Sequence, residues 1–275
     1  MTHHNIDSLD DPRLIYYRDL NRTNLAETSG RFIAEGWRLV ERVLRSRFPI
    51  ESVFVSDDYR ERVTPYVPAG VPIYVATRAM MSETVGFKFH RGVLACALRR
   101  PGPTADEILG GLALESEATI VVCPEIQDPE NLGTVIRSSA AFGCDAVLLG
   151  PGSADPFCRR VLRVSMGTVL QLPVAESPDL LGLVDALAER GGFERVAAVL
   201  DDAALSLQTM IRPRRLALLF GNEAVGLSDE WLRHADRLAK ITMRRGTDSL
   251  NVGVAAGVFL YHFCGQPSPS GNASE

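Results

Sequence analysis

Three stretches of this chain place charged or amide side chains beside glycines at the ends of apolar runs. The first is Asn131-Leu-Gly133-Thr-Val-Ile-Arg137, after the run Thr119-Ile-Val-Val-Cys123. Its spacing predicts a helix with Leu132, Val135, Ile136 and Ala140 on a buried stripe. Asn131, Thr134, Arg137 and Ser138 then lie opposite, putting a guanidinium near the C-terminal end of a strand. The second is Gly221-Asn-Glu-Ala-Val-Gly226, a tight carboxylate-bearing loop after the apolar run Leu216–Phe220. Ser228 is expected to cap the helix that follows. The third runs Ile241-Thr-Met-Arg-Arg-Gly-Thr-Asp-Ser-Leu-Asn251 and leads into an apolar stretch ending near Cys264. Ser249 or Asn251 can accept from the free N–H groups of that helix's first turn. The helix is apolar nearly all round, a pattern that calls for burial on several sides. Taken singly, these stretches also have ordinary readings: a solvated arginine, a turn and a core helix.

The elements needed to position them alternate. Residues 12–100 read as a small α/β domain: a helix at Pro12–Leu20, strands near Arg31–Ala34, Ser52–Val55, Pro72–Val75 and Gly92–Ala97, and an amphipathic helix at Trp37–Arg47. Pro101-Gly-Pro103 opens an expected linker, 101–117, before a second α/β domain, 118–264. Residues 265–275 have the composition of a disordered tail. Gly150-Pro-Gly152 is half of a dinucleotide-binding fingerprint, but Asp155 stands where the third glycine belongs, so a nicotinamide-dependent oxidoreductase is a weak reading. Arg159, Arg160 and Arg163 share a helical face that can hold phosphate.

Bulk properties narrow the class. The 275 residues, 46% hydrophobic and 23% charged, suit two soluble domains. No apolar run is long enough to span a bilayer, and the acidic N-terminus has no signal core, so no membrane partner and a cytoplasmic location are expected. Five scattered cysteines without paired spacing argue against a disulfide framework and against a metal site. The net charge of −5 hides an asymmetry: residues 1–100 carry +3 and the remainder −8. Most basic residues are arginines, which bind phosphate well. Arg13, Arg22, Arg31, Arg159 and Arg163 are the candidates for RNA contact.

Together and in this order, Asn131-x-Gly133-x-x-x-Arg137, Gly221-Asn-Glu-x-x-Gly226 and Ser249-Leu-Asn251 resemble the three motifs of the SpoU/TrmH branch of the SPOUT RNA methyltransferases. Phe32-Ile-Ala-Glu-Gly36 and His90-Arg-Gly-Val-Leu-Ala95 are similar to the L30e-like substrate-binding domain that many members carry. The resemblance implies an α/β fold with an N-terminal L30e-like domain and a C-terminal SPOUT domain closed by a trefoil knot. It further implies methylation of a ribose 2′-hydroxyl in structured RNA, with S-adenosylmethionine as cofactor and rRNA favoured over tRNA. DNA, lacking that hydroxyl, should be inert. Asn131, Arg137, Glu223, Ser249 and Asn251 take the catalytic positions, the other four orienting Arg137, the ribose and the methionine end of the cofactor. Leu200, Gly221, Asn222, Gly226, Ile241, Met243, Ser249 and Leu250 take the cofactor positions. The family's dimer packs the knot helices together, a use for the apolar helix after Asn251. Thr242 stands where the family usually has proline, and Gly253 where it often has alanine or a small polar residue. The alternative is a non-catalytic RNA-binding protein on the same scaffold.

Overall fold

The structure, a computed structural model, describes residues 3–21, 25, 29–113 and 116–265. In chain order its strands are β1 (His3–Asn5), β2 (Arg31–Glu35), β3 (Ile50–Ser56), β4 (Ile73–Ala76), β5 (Val93–Leu98), β6 (Ala118–Cys123), β7 (Ala146–Leu149), β8 (Val174–Glu176), β9 (Glu194–Ala198), β10 (Leu205–Ser206), β11 (Arg215–Leu219) and β12 (Arg237–Lys240). Its α-helices are α1 (Trp37–Leu44), α2 (Arg60–Val63), α3 (Arg78–Val85), α4 (Ala105–Gly110), α5 (Pro129–Ala141), α6 (Arg159–Val164), α7 (Leu180–Gly191), α8 (Asp229–His234) and α9 (Val252–Cys264). None of the described helices is long and apolar enough to cross a membrane. The chain divides into two units, residues 1–101 with 155–171 and residues 102–154 with 172–275.

The first unit holds a five-stranded mixed sheet in the order β1-β4-β3-β5-β2. β5 runs antiparallel to both β2 and β3, while β1, β3 and β4 are parallel. The expected helix at Pro12–Leu20 is a 3₁₀ turn over Pro12–Tyr17, where the Asp11 side chain accepts from the Arg13 backbone N–H. Tyr17, fully buried, ends it against Phe54 and bonds Ser52, which fixes the turn to the sheet. Residues 155–171 join this unit because Phe157 completes an aromatic cluster with Phe32 and Phe48. Val161 and Leu162 on α6 are likewise fully buried.

The second unit is a seven-stranded, wholly parallel sheet in the order β10-β12-β9-β11-β6-β7-β8. Three of its inner strands, β6, β7 and β11, are continuous runs of buried residues, as a sheet covered on both faces requires. The segment expected as a linker carries α4: Thr104 and Glu107 form a reciprocal capping box, and Ile108 is buried in this unit's core. Gly150 has a packing role, because a Cβ there would stand 2.2 Å from the Pro124 carbonyl oxygen. β7 must end in glycine to pass the loop between β6 and α5, which accounts for the partial fingerprint without any nucleotide. The proposed tail lies almost wholly outside the described residues.

Candidate active site

Parallel strands place their following loops at one edge of a sheet, and open α/β folds put their sites there. In the second unit β12, β9, β11 and β6 are consecutive neighbours. The loops after β9, β11 and β12 therefore converge, joined by the first turns of α5 and α9. Between them is a cavity of about 580 Å³. All eight residues assigned to cofactor binding line it: Leu200, Gly221, Asn222, Gly226, Ile241, Met243, Ser249 and Leu250. Asn131, Glu223 and Asn251 line it as well.

The loop after β11 is closed on itself. Asn222 and Gly226 exchange backbone hydrogen bonds of 3.0 and 2.9 Å, and the Asn222 side chain accepts from Ala224 N at 2.8 Å. Gly226 has φ +74°, the left-handed region that glycine enters without cost. At Gly221 the constraint is contact: a Cβ would lie 2.3–2.6 Å from backbone atoms of Gly226 and Leu227. Gly221→Ala must therefore displace backbone and should destabilise the protein by about 1–3 kcal/mol. Cofactor affinity should fall at least about tenfold, the equivalent of 1.4 kcal/mol; thermal melting and calorimetric titration check both.

A chain of side-chain hydrogen bonds ties the three motifs together. Asn251 Nδ2 donates to Asn131 Oδ1 at 2.7 Å, and Asn131 Nδ2 donates to Glu223 Oε1 at 3.0 Å. Glu223 also accepts from the backbone N–H of Asp128 at 3.1 Å and of Gln127 at 3.4 Å. Burial pushes the Glu223 carboxyl up, but the Asn131 amide and these backbone donors outweigh it and hold the group below its usual range. Asn251, and not Ser249, caps α9: its Oδ1 accepts from Gly253 N at 2.9 Å and Val254 N at 3.3 Å. Ser249 lines the cavity mouth with its side chain exposed. Ser228 precedes α8 but makes no side-chain cap.

Arg137 is placed differently from the other four. It lies on α5 six residues beyond Asn131, about 9 Å along the helix axis, exposed and outside the cavity lining. No described side chain bonds it: Asn131, Glu223 and Asn251 orient one another, and Ser249 only shares their cavity. Asn131 itself is only 8% exposed, although its helical phase predicts the solvated face, because Glu223 and Asn251 cover it. Gly253 sits where α9 meets α5, and a Cβ there would be 2.9 Å from Thr134 Cγ2. Thr242 contacts Ser206 across 3.3 Å between hydroxyl oxygens, linking the loop after β12 to β10.

The arginines assigned to RNA divide by what already holds them. Arg13 is engaged by Asp11, and Arg31 by Glu51 with its guanidinium over the Tyr16 ring. Arg159 donates to the Leu20 carbonyl at 2.7 Å and to Glu35 at 2.8 Å, which fastens α6 to its own unit. Arg163 lines a second cavity, within the first unit. Arg22 lies outside the described residues. Trp37, Arg38, Tyr59, Arg62 and Arg91 share that second cavity. These five come from three separate segments, so no local pattern in the sequence groups them. The available signal was Gly36 and Gly92, which mark the ends of two neighbouring antiparallel strands.

The sequence profile described as the SpoU rRNA Methylase family matches residues 118–261. The chain belongs to that family. It is an RNA methyltransferase by this membership, and the MRM3-like substrate binding domain profile matches residues 12–95. An uncharacterized tRNA/rRNA methyltransferase of Mycobacterium bovis is 39% identical over 260 residues, covering 92% of this chain and 88% of that protein. The 23S rRNA (guanosine(2553)-2′-O)-methyltransferase of Bacillus subtilis is 27% identical, covering 94% and 99%. The crystal structure of an AdoMet-bound rRNA methyltransferase from Sinorhizobium meliloti superposes with a TM-score of 0.81 at 27% identity, covering 94% of this chain and 97% of that one. These likenesses bear out an N-terminal substrate-binding domain followed by a SpoU domain.

Proposed function

We propose that this protein transfers a methyl group from S-adenosylmethionine to a ribose 2′-hydroxyl of ribosomal RNA in the cytoplasm. The observation that carries the reading is the Asn251–Asn131–Glu223 chain, which draws all three motifs onto the wall of one cavity. The relative from Bacillus subtilis is named for 2′-O-methylation of 23S rRNA, and the one from Sinorhizobium meliloti for its bound cofactor. Five free cysteines fit a reducing compartment.

The cavity fits the cofactor on its own terms. Its volume lies in the usual range for small-molecule sites, which join apolar walls to a few fixed polar groups. Leu200 and Val225, 66% and 81% exposed, leave apolar surface in water that an adenine face would cover. Backbone groups of the Gly221–Gly226 loop and of residues 241–250 would hold the nucleoside and methionine parts. The bound cofactor supplies an activated methyl on a sulfonium, so the protein's own task is to position the hydroxyl and manage its proton. Glu223 fixes Asn131, and both stiffen the wall against which the ribose lies. Arg137, unpaired on the neighbouring helix face, binds the target phosphate and stabilises the developing alkoxide. The hydroxyl proton passes to that phosphate or to water, since a guanidinium keeps its own protons at neutral pH.

Two copies pair through α9. Val254, Val258 and Tyr261 recur at helical spacing and are 52%, 38% and 62% exposed, an apolar stripe a single chain leaves in water. Val258→Glu should convert the dimer to a monomer in multi-angle light scattering; an unchanged mass would remove α9 from the interface. The closure of the second unit as a trefoil knot is the arrangement the resemblance implies.

The deciding test is transfer of labelled methyl from S-adenosylmethionine to total rRNA and total tRNA in parallel. Alkali-stable label in rRNA alone is the expected result. Label in tRNA alone overturns the substrate, and absence of cofactor binding favours the non-catalytic scaffold.

A further inference from the structure

The second cavity, about 510 Å³ and wholly within the first unit, has an unusual balance of charge. Arg38, Arg62, Arg91 and Arg163 line it, against Glu35 as the lining carboxylate. Glu35 is already committed, to Arg159 at 2.8 Å and to Arg91 at 3.3 Å. Arg62 is held by rings instead of by an acid: its guanidinium carbon lies 5.5 Å from the Trp37 ring centroid and 5.2 Å from that of Tyr59. Such a mounting fixes direction and leaves the charge unneutralised. Burial and the nearby Arg160, Arg159 and Arg91 all hold the Arg163 guanidinium below the ordinary arginine range, with Glu35 offsetting them only in part. An anion in the cavity would relieve that repulsion.

The backbone favours the same ligand. Gly36 precedes α1 at φ 85° with no side-chain cap, and the first two residues of this eight-residue helix, Trp37 and Arg38, line the cavity. At Gly36 a Cβ would stand 2.9 Å from Arg91 Cδ, and at Gly92 2.7 Å from the Tyr59 ring. Both glycines let the two strand ends close around the pocket.

We infer that this cavity grips one phosphodiester of an unpaired RNA nucleotide, with Arg38, Arg62, Arg91 and Arg163 as its phosphate ligands. The concavity admits a single extruded nucleotide, whereas the phosphates of a continuous duplex lie on a convex surface. The lining crosses the boundary between the two matched profiles, because Leu162, Arg163 and Met166 come from within residues 118–261 and the rest from 12–95. Substrate grip is therefore divided between segments far apart in sequence. The inference rests on the reading of RNA as substrate.

The test measures binding of an unstructured 20-nucleotide fluorescent RNA at several salt concentrations, without cofactor. Arg38 and Arg163 have no ion-pair partner among the described residues, so Arg38→Gln/Arg163→Gln leaves no carboxylate orphaned. Arg45→Gln/Arg47→Gln, both exposed and outside the cavity, removes the same charge elsewhere. The cavity pair should lower affinity about tenfold and flatten the log–log salt slope by up to about 0.7, the value for one single-strand phosphate. KM for RNA should rise in step while kcat at saturating RNA and cofactor affinity hold. Arg38→Lys/Arg163→Lys should recover most of the slope, which separates charge from damage to the fold. Equal losses from both Gln pairs, or none from the cavity pair, would overturn the site. A wild type that binds RNA through the cavity but transfers no methyl would instead defeat the proposed function and leave this inference standing.

Discussion

Arg137→Ala should reduce methyl transfer on the order of 10²–10³-fold, the usual cost of removing one preorganised group that stabilises developing charge. Stability should stay within about 0.5 kcal/mol of wild type, since Arg137 is exposed and bonded to no described side chain. Cofactor affinity should hold too, because Arg137 lies outside the cavity lining. That combination distinguishes a residue acting on the RNA from one supporting the fold. Arg137→Lys sharpens it: a point charge keeps the attraction but not the two-pronged grip on phosphate, so activity should recover only partly. Near-normal turnover of the lysine variant would refute the bidentate role. Single-turnover transfer, cofactor titration and thermal melting on the same preparations provide the readouts.

The second large effect is expected at Glu223. Its carboxylate accepts from Asn131 and from the backbone of Asp128 and Gln127. Glu223→Ala strands these donors, and one of them belongs to the buried Asn131. Each unmet buried donor costs about 1–3 kcal/mol. Both stability and cofactor affinity should fall, with transfer lost more than tenfold as Asn131 and then Asn251 lose their anchor. Glu223→Gln keeps one accepting oxygen and should lose less on every measure. The pH dependence has a definite sign. Glu223 is held below its usual range when folded, so its contribution is fully present above the unfolded value of 4.5 and is lost as pH falls through the lower folded value. Wild-type cofactor binding should therefore survive moderate acidification and weaken only below about pH 4.5, while Glu223→Gln shows no such step.

Two of these effects depend on how rigidly the Gly221–Gly226 loop is set, and there sequence and structure contributed different things. Glycine at 221 and 226 was legible as permission for a tight turn, because no other residue enters φ > 0 so cheaply. That Gly221 is required by a backbone 2.3 Å from where its Cβ would be is a fact of packing. Likewise either Ser249 or Asn251 satisfied the local rules for capping α9. Asn251 holds the cap because its amide also reaches Asn131, a partner 120 residues away. The capping box of α4 was readable in Thr104 and Glu107, yet the prolines around it suggested a linker.

What the sequence determined by itself was therefore local and periodic. It set the alternation of strands and helices, the apolar character of the parallel strands and the glycine loops. Each follows from side-chain type and spacing within a few turns of chain, while Asn131, Glu223 and Asn251 were singled out by resemblance to family motifs. The strand order β12-β9-β11-β6 was decided only in three dimensions, and that order is what brings three distant loops and the start of α5 to one cavity. The burial of Asn131 and the isolation of Arg137 on the same helix were decided there too, since a side chain's exposure depends on what packs above it. So was the basic cavity of the first unit, where residues 155–171 cross from one domain's sequence into the other's core. Phe157 made that crossing favourable by burying its ring between Phe32 and Phe48, a contact between segments about a hundred residues apart that no short window of sequence contains.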